Sequence, residues 1–555
     1  MSENLKGKHL DSVTIEYDVP VPMRDGVVLR ADVYRPEGNG PWPVIVARTP
    51  YDKGDVPELS FLDPWLAARR GFIAVVQDVR GRYSSEGQFR PFVAEGPDGE
   101  DTISWAASLP GATGAVGMWG LSYLGNVQWQ AAGRQPDALK AIVPSFTFRE
   151  PVNGLAARGG ANEVGLIRSW GVFTGFDQAI RCHGHDSNEL EKQLRMLAEA
   201  SDGMPGPIYL ELPTAPDAVI GRYNLPNLAS TDSMEAAEVS RHQAKVTVPS
   251  LHIGGWYDVF SQGTIDNYRS AAANTPARLI IGPWSHTQMT AQQGDINFGF
   301  AGNGTAIDYT NSITGLTFDW LHSWLTQGKA PDDELPVKIY VMGANEWRSE
   351  PEWPLQRAIQ TPWFLGPGGA LKTTADSTAS SVLFNYDPRN PVPSAGGASL
   401  IVPSPSAGAV DQQQIENRED VLVFTSDHLP EDVEVTGHVT AALVAQTDGP
   451  TTDWVVRLCD VHPNGRSYVV TDGITRISGK PGEKQSVEVD LWSTSMVFKK
   501  GHRIRVQVTS SCFPRWDRNL NTKDGLATGE MRVASQLVHV GGGRSYVTLP
   551  IVETA

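Results

Sequence analysis

With 555 residues, 40% of them hydrophobic and 20% charged, the chain has an ordinary globular composition and is too long for one hydrophobic core, so two to four domains are expected. Its 63 acidic and 46 basic residues give a formal net charge of -17, which argues against nucleic acid or an anionic membrane surface as partner, because neutralising phosphates needs clustered Lys and Arg. A small neutral or cationic substrate fits better. No apolar run approaches the roughly 20 residues of a membrane span, and Met1 to Leu10 lacks the apolar stretch of a signal peptide. The three cysteines, Cys182, Cys459 and Cys512, are too few and too scattered for a disulfide framework, so a reducing, cytoplasmic setting is expected.

From Val13 to about Pro144, short Val- and Ile-rich runs (27–34, 44–47, 72–77, 116–119 and 141–143) alternate with helical stretches at 63–70 and 97–109. Strands buried on both faces have this composition, and the alternation predicts a parallel sheet with crossover helices. Within it, Val116-Gly117-Met118-Trp119-Gly120-Leu121-Ser122-Tyr123-Leu124-Gly125 carries an apolar strand through a Gly-flanked serine straight into helix-forming residues. That is the sequence form of a nucleophile elbow, in which glycines remove the side chains that would collide across a strained turn. The second glycine comes one position later than in Gly-x-Ser-x-Gly, and a turn with a capping serine competes with the catalytic reading.

Between Ser145 and Gln243 the strand rhythm stops, and Leu190, Leu194, Leu197 and Ala198 fall on one helical face. Sheet-like runs return at 249–256 and 277–282, so the middle block reads as an insertion forming a cap over the carboxyl ends of the strands. After Pro336 period-two segments take over, which predicts a β-sandwich or jelly roll, with 376–409 as a Ser-, Pro- and Gly-rich linker. The predicted architecture is α/β: an α/β-hydrolase core (1–144 and 244–352), an inserted helical cap (145–243) and a C-terminal jelly roll (353–555).

In such a core the acid and the histidine follow the nucleophile, each after a later strand. Leu251 to Trp256 runs into Tyr257-Asp258, and Leu279 to Gly282 into Pro283-Trp284-Ser285-His286. Ser122 needs a base because a hydroxyl is a weak nucleophile, His286 supplies an imidazole that can accept and return its proton, and Asp258 would fix the tautomer. Taken singly, Asp258 could be a turn residue and His286 a packed surface group. The tetrahedral intermediate also requires donors: the Tyr123 amide is one, and since Pro50 has no N–H, the Tyr51 hydroxyl is a natural second, with aromatic packing the competing role for that Tyr. Cys182-His183-Gly184-His185 lacks a second ligand pair, so neither metal nor cofactor is expected.

Val21-Pro22-Met23-Arg24-Asp25-Gly26-Val27, Pro50-Tyr51-Asp52-Lys53, Gln77-Asp78-Val79-Arg80-Gly81, the elbow, Gly255-Trp256-Tyr257-Asp258, Gly282-Pro283-Trp284-Ser285-His286 and Asn519-Leu520-Asn521-Thr522 together resemble the bacterial cocaine esterase family. That family lies in a larger group with X-Pro dipeptidyl-peptidases and α-amino-acid ester hydrolases. The resemblance implies the same three-part fold, Ser122, His286 and Asp258 as a triad, and Tyr51 and Tyr123 as the oxyanion hole. It also implies an acyl pocket containing Trp170 and Phe260, a small-molecule ester as substrate, and dimerisation. An aromatic that the resemblance leads one to expect at the start of the cap is missing from Glu150-Pro151-Val152-Asn153-Gly154. The alternatives are an aminopeptidase of the X-Pro type, which would need a cap carboxylate such as Glu150, Glu163 or Asp177 for the substrate ammonium, and a carbohydrate-binding protein that has lost catalysis.

Overall fold

The structure is a computed structural model that describes residues 12–54, 62–202, 207–210, 226–332, 334–401 and 407–553. Its centre is a ten-stranded sheet made of β1 (Val13–Pro22), β2 (Val28–Pro36), β3 (Trp42–Thr49), β4 (Ile73–Asp78), β5 (Ala112–Leu121), β6 (Leu139–Ser145), β7 (Ser250–Tyr257), β8 (Ala277–Ser285), β9 (Val337–Val341) and β10 (Glu346–Glu350). The order is β1-β2-β4-β3-β5-β6-β7-β8-β9-β10. The stretch from β4 to β9 is parallel, with antiparallel strands at both edges.

The side-chain period of a strand explains why both faces are covered. Val44, Val46, Ile73 and Val75 join one apolar cluster with α2 (Glu95–Ala107) and α3 (Tyr123–Ala132), whereas Ile45, Ala47, Ala74 and Val76 join another with α1 (Pro64–Arg69) and the helix Ile313–Thr326. Between β6 and β7 the chain leaves the sheet to form the cap, whose main helices are α4 (Val164–His183) and α5 (Ser187–Ser201). Asp186 caps α5 by accepting from the amides of Asn188 and Glu189. The cap also holds a short hairpin, Ala157–Arg158 with Ala161–Asn162, which the lack of strand rhythm did not predict.

Two antiparallel sheets, one of seven strands and one of four, make the C-terminal sandwich. Its strands Val433–Thr447 and Thr451–Val461 contribute Val435, Leu443, Val456 and Leu458 to a single apolar cluster. That cluster continues into the core through Trp256, Tyr257, Ile339 and Tyr340. The run Val337–Val341 is the last parallel strand of the core sheet, with Leu279 opposite Val337. One sequence expectation needs correction. The presumed linker 376–409 contains a strand, Ser380–Tyr386, paired along its length with Ala534–Val540; it buries Phe384 and Tyr386 and leaves Leu383 exposed, and its polar flanks hid the alternation.

Candidate active site

Because β5, β7 and β8 run parallel, their carboxyl ends lie along one edge of the sheet. Ser122 follows β5 with φ 62 and ψ -122, a backbone conformation that a non-glycine residue adopts only under constraint. The constraint is visible: its amide donates to the Ser145 carbonyl at 2.9 Å, and its carbonyl accepts from the Asn126 amide at 3.1 Å and the Thr147 hydroxyl at 2.9 Å. Gly120 has φ +138, and a Cβ there would sit 2.5 Å from Leu124 Cβ; one on Gly125 would sit 2.8 Å from Thr147 Cβ. Both elbow glycines are therefore steric requirements, and the late position of the second reflects where α3 crosses the loop after β6.

Asp258 and His286 each lie one residue beyond their strands, β7 and β8. His286 Nδ1 is 2.7 Å from Asp258 Oδ1, with both side chains buried. Against an ionised carboxylate Nδ1 is the donor, which leaves Nε2 as the acceptor. Two rings hold the imidazole edge-on: Phe260 at 5.1 Å and 87°, and Phe146 at 6.3 Å and 85°. Phe146 directly follows Ser145, the residue that takes the Ser122 amide.

Tyr51, two residues past β3, is buried, and its hydroxyl accepts from Trp170 Nε1 at 3.0 Å. That bond uses an oxygen lone pair and not the phenol proton. Its ring meets Tyr123 at 6.4 Å and 72°. The Tyr123 hydroxyl donates to Glu95 Oε1 at 2.8 Å and accepts from the Phe92 amide at 2.9 Å. Burial, and then the neighbouring Glu95, holds this phenol well above its ordinary pKa, so Tyr123 is a fixed neutral residue whose side chain anchors its own backbone amide. Arg82 ties the Tyr51 loop to the cap: Nε donates to the Pro50 carbonyl at 2.7 Å, Nη1 donates to the Thr174 carbonyl at 2.9 Å, and Nη1 also lies 3.1 Å from Asp177 Oδ2.

Trp170 and Phe260 are linked through other rings. Trp170 lies parallel to Tyr123 at 6.5 Å, Tyr123 stacks on Phe92 at 4.3 Å, Phe92 meets Phe148 at 5.6 Å, and Phe148 meets Phe260 at 5.4 Å. The result is an apolar arc from the Tyr51 hydroxyl to the His286 ring. Sequence reading missed Phe92, Phe146 and Phe148. Phe148 stands two residues before Glu150-Pro151-Val152-Asn153-Gly154, and the alternation Phe146, Phe148 directly after β6 is a usable signal. The Cys182-His183-Gly184-His185 segment ends α4 at the surface. Among the described residues, Asp460, His462 and His502 of the sandwich bring a carboxylate oxygen and two imidazole nitrogens within 4.8 Å of one another.

Residues 25–288 match the model of the X-Pro dipeptidyl-peptidase (S15) family, and residues 329–548 that of the X-Pro dipeptidyl-peptidase C-terminal non-catalytic domain. Cocaine esterase from Rhodococcus sp. (strain MB1 Bresler) is 36% identical over 97% of this chain and 99% of its own. Among solved structures, an α-amino acid ester hydrolase superposes with a TM-score of 0.73 at 25% identity, over 98% of this chain and 97% of that one. An aminopeptidase from a marine sediment archaeon, Thaumarchaeota archaeon, reaches 0.80 at 24% identity, over 100% and 99% of the two chains. Near-complete coverage at this identity, on a hydrolase sheet with its elbow intact, shows that the chain belongs to the cocaine esterase family of hydrolases, within the X-Pro dipeptidyl-peptidase (S15) group.

Proposed function

We propose that the protein is a serine esterase acting on small carboxylic esters, with an aromatic or medium-sized acyl group, through an acyl-enzyme on Ser122. The observation that carries this reading is the buried 2.7 Å bond between His286 and Asp258 at the sheet edge where Ser122 stands on its strained turn. His286 Nε2 takes the Ser122 proton as Oγ attacks the ester carbonyl and returns it to the departing alcohol; water then repeats the sequence on the acyl-enzyme. Asp258 orients the ring and stabilises the imidazolium. The Tyr123 amide and the Tyr51 hydroxyl donate to the oxyanion, and Trp170, Phe148 and Phe260 line the acyl side.

The family also contains peptidases, and three cap carboxylates bear on the choice. An aminopeptidase needs one to hold the substrate ammonium. Glu163 accepts from Trp516 Nε1 at 2.7 Å, Asp177 is 3.1 Å from Arg82, and Glu150 is exposed. The two buried acids are committed within the protein, which favours the ester. A panel of p-nitrophenyl esters against X-Pro anilides is the test: esters should turn over faster, with benzoyl or butyryl groups preferred, and Ser122→Ala should lower kcat by about 10⁶. Faster anilide turnover would replace the esterase reading by the peptidase one.

A further inference from the structure

We infer that Asp460, His462 and His502 form a binding site for one divalent ion of the zinc class, where the sandwich meets the core. Asp460 lies in the strand Thr451–Val461 and His462 directly follows its end, so the two side chains, two residues apart, lie on the same side of the chain. The neighbouring strand Arg503–Thr509 pairs with it so that Val461 faces Arg503, and one rung further brings His502 opposite His462. His502 Nδ1 lies 2.9 Å from Asp460 Oδ1 and 3.0 Å from Oδ2, and His462 Nε2 lies 3.2 Å from Oδ2. The two imidazole rings are 4.4 Å apart.

Four ligands at about 2.0–2.1 Å around a tetrahedral ion stand about 3.3 Å from one another. The carboxylate-to-imidazole separations are already close to that, so an ion could enter once each ring carries its proton on its other nitrogen, without rebuilding the backbone. Two imidazoles and one carboxylate suit zinc and its transition-metal neighbours, while magnesium and calcium prefer oxygen alone. A cavity of about 200 Å³ adjoins the three side chains and is also lined by Tyr257, Phe298 and Asn345 of the core, which gives room for a water as fourth ligand. The Asp460 carboxylate is itself buried, so it is a preformed and poorly solvated anchor for a cation. The Tyr257 hydroxyl donates to the Val469 carbonyl at 3.2 Å across the same junction. All three ligands belong to the sandwich, so an ion here would tie the end of the strand Thr451–Val461 to the start of Arg503–Thr509 beside Tyr257 of β7, and its role would be structural.

The test is titration of zinc chloride into the chelator-stripped full-length protein, read by calorimetry, alongside cobalt(II) followed by its visible absorption. The expected result is one ion per chain, tetrahedral cobalt bands, a higher melting temperature with zinc, and no response to magnesium. His462→Gln and His502→Gln should each weaken zinc binding by more than the 10- to 100-fold that loss of an outer partner costs and abolish the thermal shift. Their melting temperatures without zinc establish that they fold, and esterase activity should persist in both. A stripped wild type that takes up no ion, or variants that bind as well as wild type, would overturn the assignment. Loss of binding in a His183→Gln, His185→Gln double variant instead would move the site to the end of α4.

Discussion

His286 is held from both sides, by a carboxylate at Nδ1 and by the edge-on rings of Phe260 and Phe146, so its ring has little freedom to turn or to change tautomer. Asp258→Asn keeps the shape but presents a donor or a weaker acceptor to Nδ1, and kcat should fall by about 10⁴, measured by ester hydrolysis in folded protein. Tyr51→Phe removes only one hydroxyl and should cost about 10² to 10³ in kcat with KM little changed, because the oxyanion exists in the transition state and not in the bound ester. A Tyr51→Phe enzyme with unchanged kcat would take the phenol out of the oxyanion hole. Trp170→Phe separates the two duties of that phenol: it deletes the indole donor at 3.0 Å yet keeps the hydroxyl, so its loss should be smaller. Ser122, Asp258 and His286 were legible in the sequence because each sits at a strand end inside a local motif. Glu95 and Phe92 were not, because their contacts with Tyr123 come from separate elements and exist only after the helices have packed.

Helix α4 and the Tyr51 loop behave as one unit because Arg82 grips both. Its guanidinium is buried between the Pro50 carbonyl, the Thr174 carbonyl and Asp177, and its Cζ lies 4.9 Å from the centre of the Phe89 ring. Replacing it with Met strands the Asp177 carboxylate and two carbonyls, at a cost of about 3–5 kcal/mol typical of a broken buried pair. Arg82→Lys cannot reach both sides with one ammonium and should recover only part of that. Urea unfolding gives the stability change. If Arg82→Met keeps full kcat, the cap is not required to position Tyr51. The sequence displayed this arginine in Asp78-Val79-Arg80-Gly81-Arg82, yet nothing local distinguishes it from Arg80, which pairs with Asp98 and Asp25 instead. The same limit explains the strand Ser380–Tyr386: its partner is about 150 residues away at Ala534–Val540, and its polar flanks, with Leu383 on the exposed face, hid the alternation.

Across the whole molecule the core and sandwich share one apolar cluster, and the cap is tied to the sandwich by buried charged side chains: Arg158 donates to the Asp472 carbonyl at 2.6 Å and lies 3.9 Å from its carboxylate, and Glu163 accepts from Trp516 Nε1 at 2.7 Å. Parts joined this way should unfold together, so heating followed by tryptophan fluorescence and by far-UV circular dichroism should give coincident transitions; two separated steps would show independent domains. The pH dependence of that transition has an identifiable source in β7. His252 is fully buried between Trp129 and Tyr268, with its Nε2 2.9 Å from the Ser250 hydroxyl. Burial pushes its pKa down to about 3 from the ordinary 6.5. In the window between those values the unfolded chain binds a proton that the folded chain refuses, so stability falls as the pH drops below about 6.5, by about 1.4 kcal/mol per pH unit from this residue alone. His252→Gln keeps a hydrogen-bonding group for Ser250 and has nothing to titrate. Between pH 7.5 and pH 5 the wild type should therefore lose about 2 kcal/mol more than the variant in urea unfolding, and parallel losses in the two proteins would place the acid sensitivity elsewhere than in this strand.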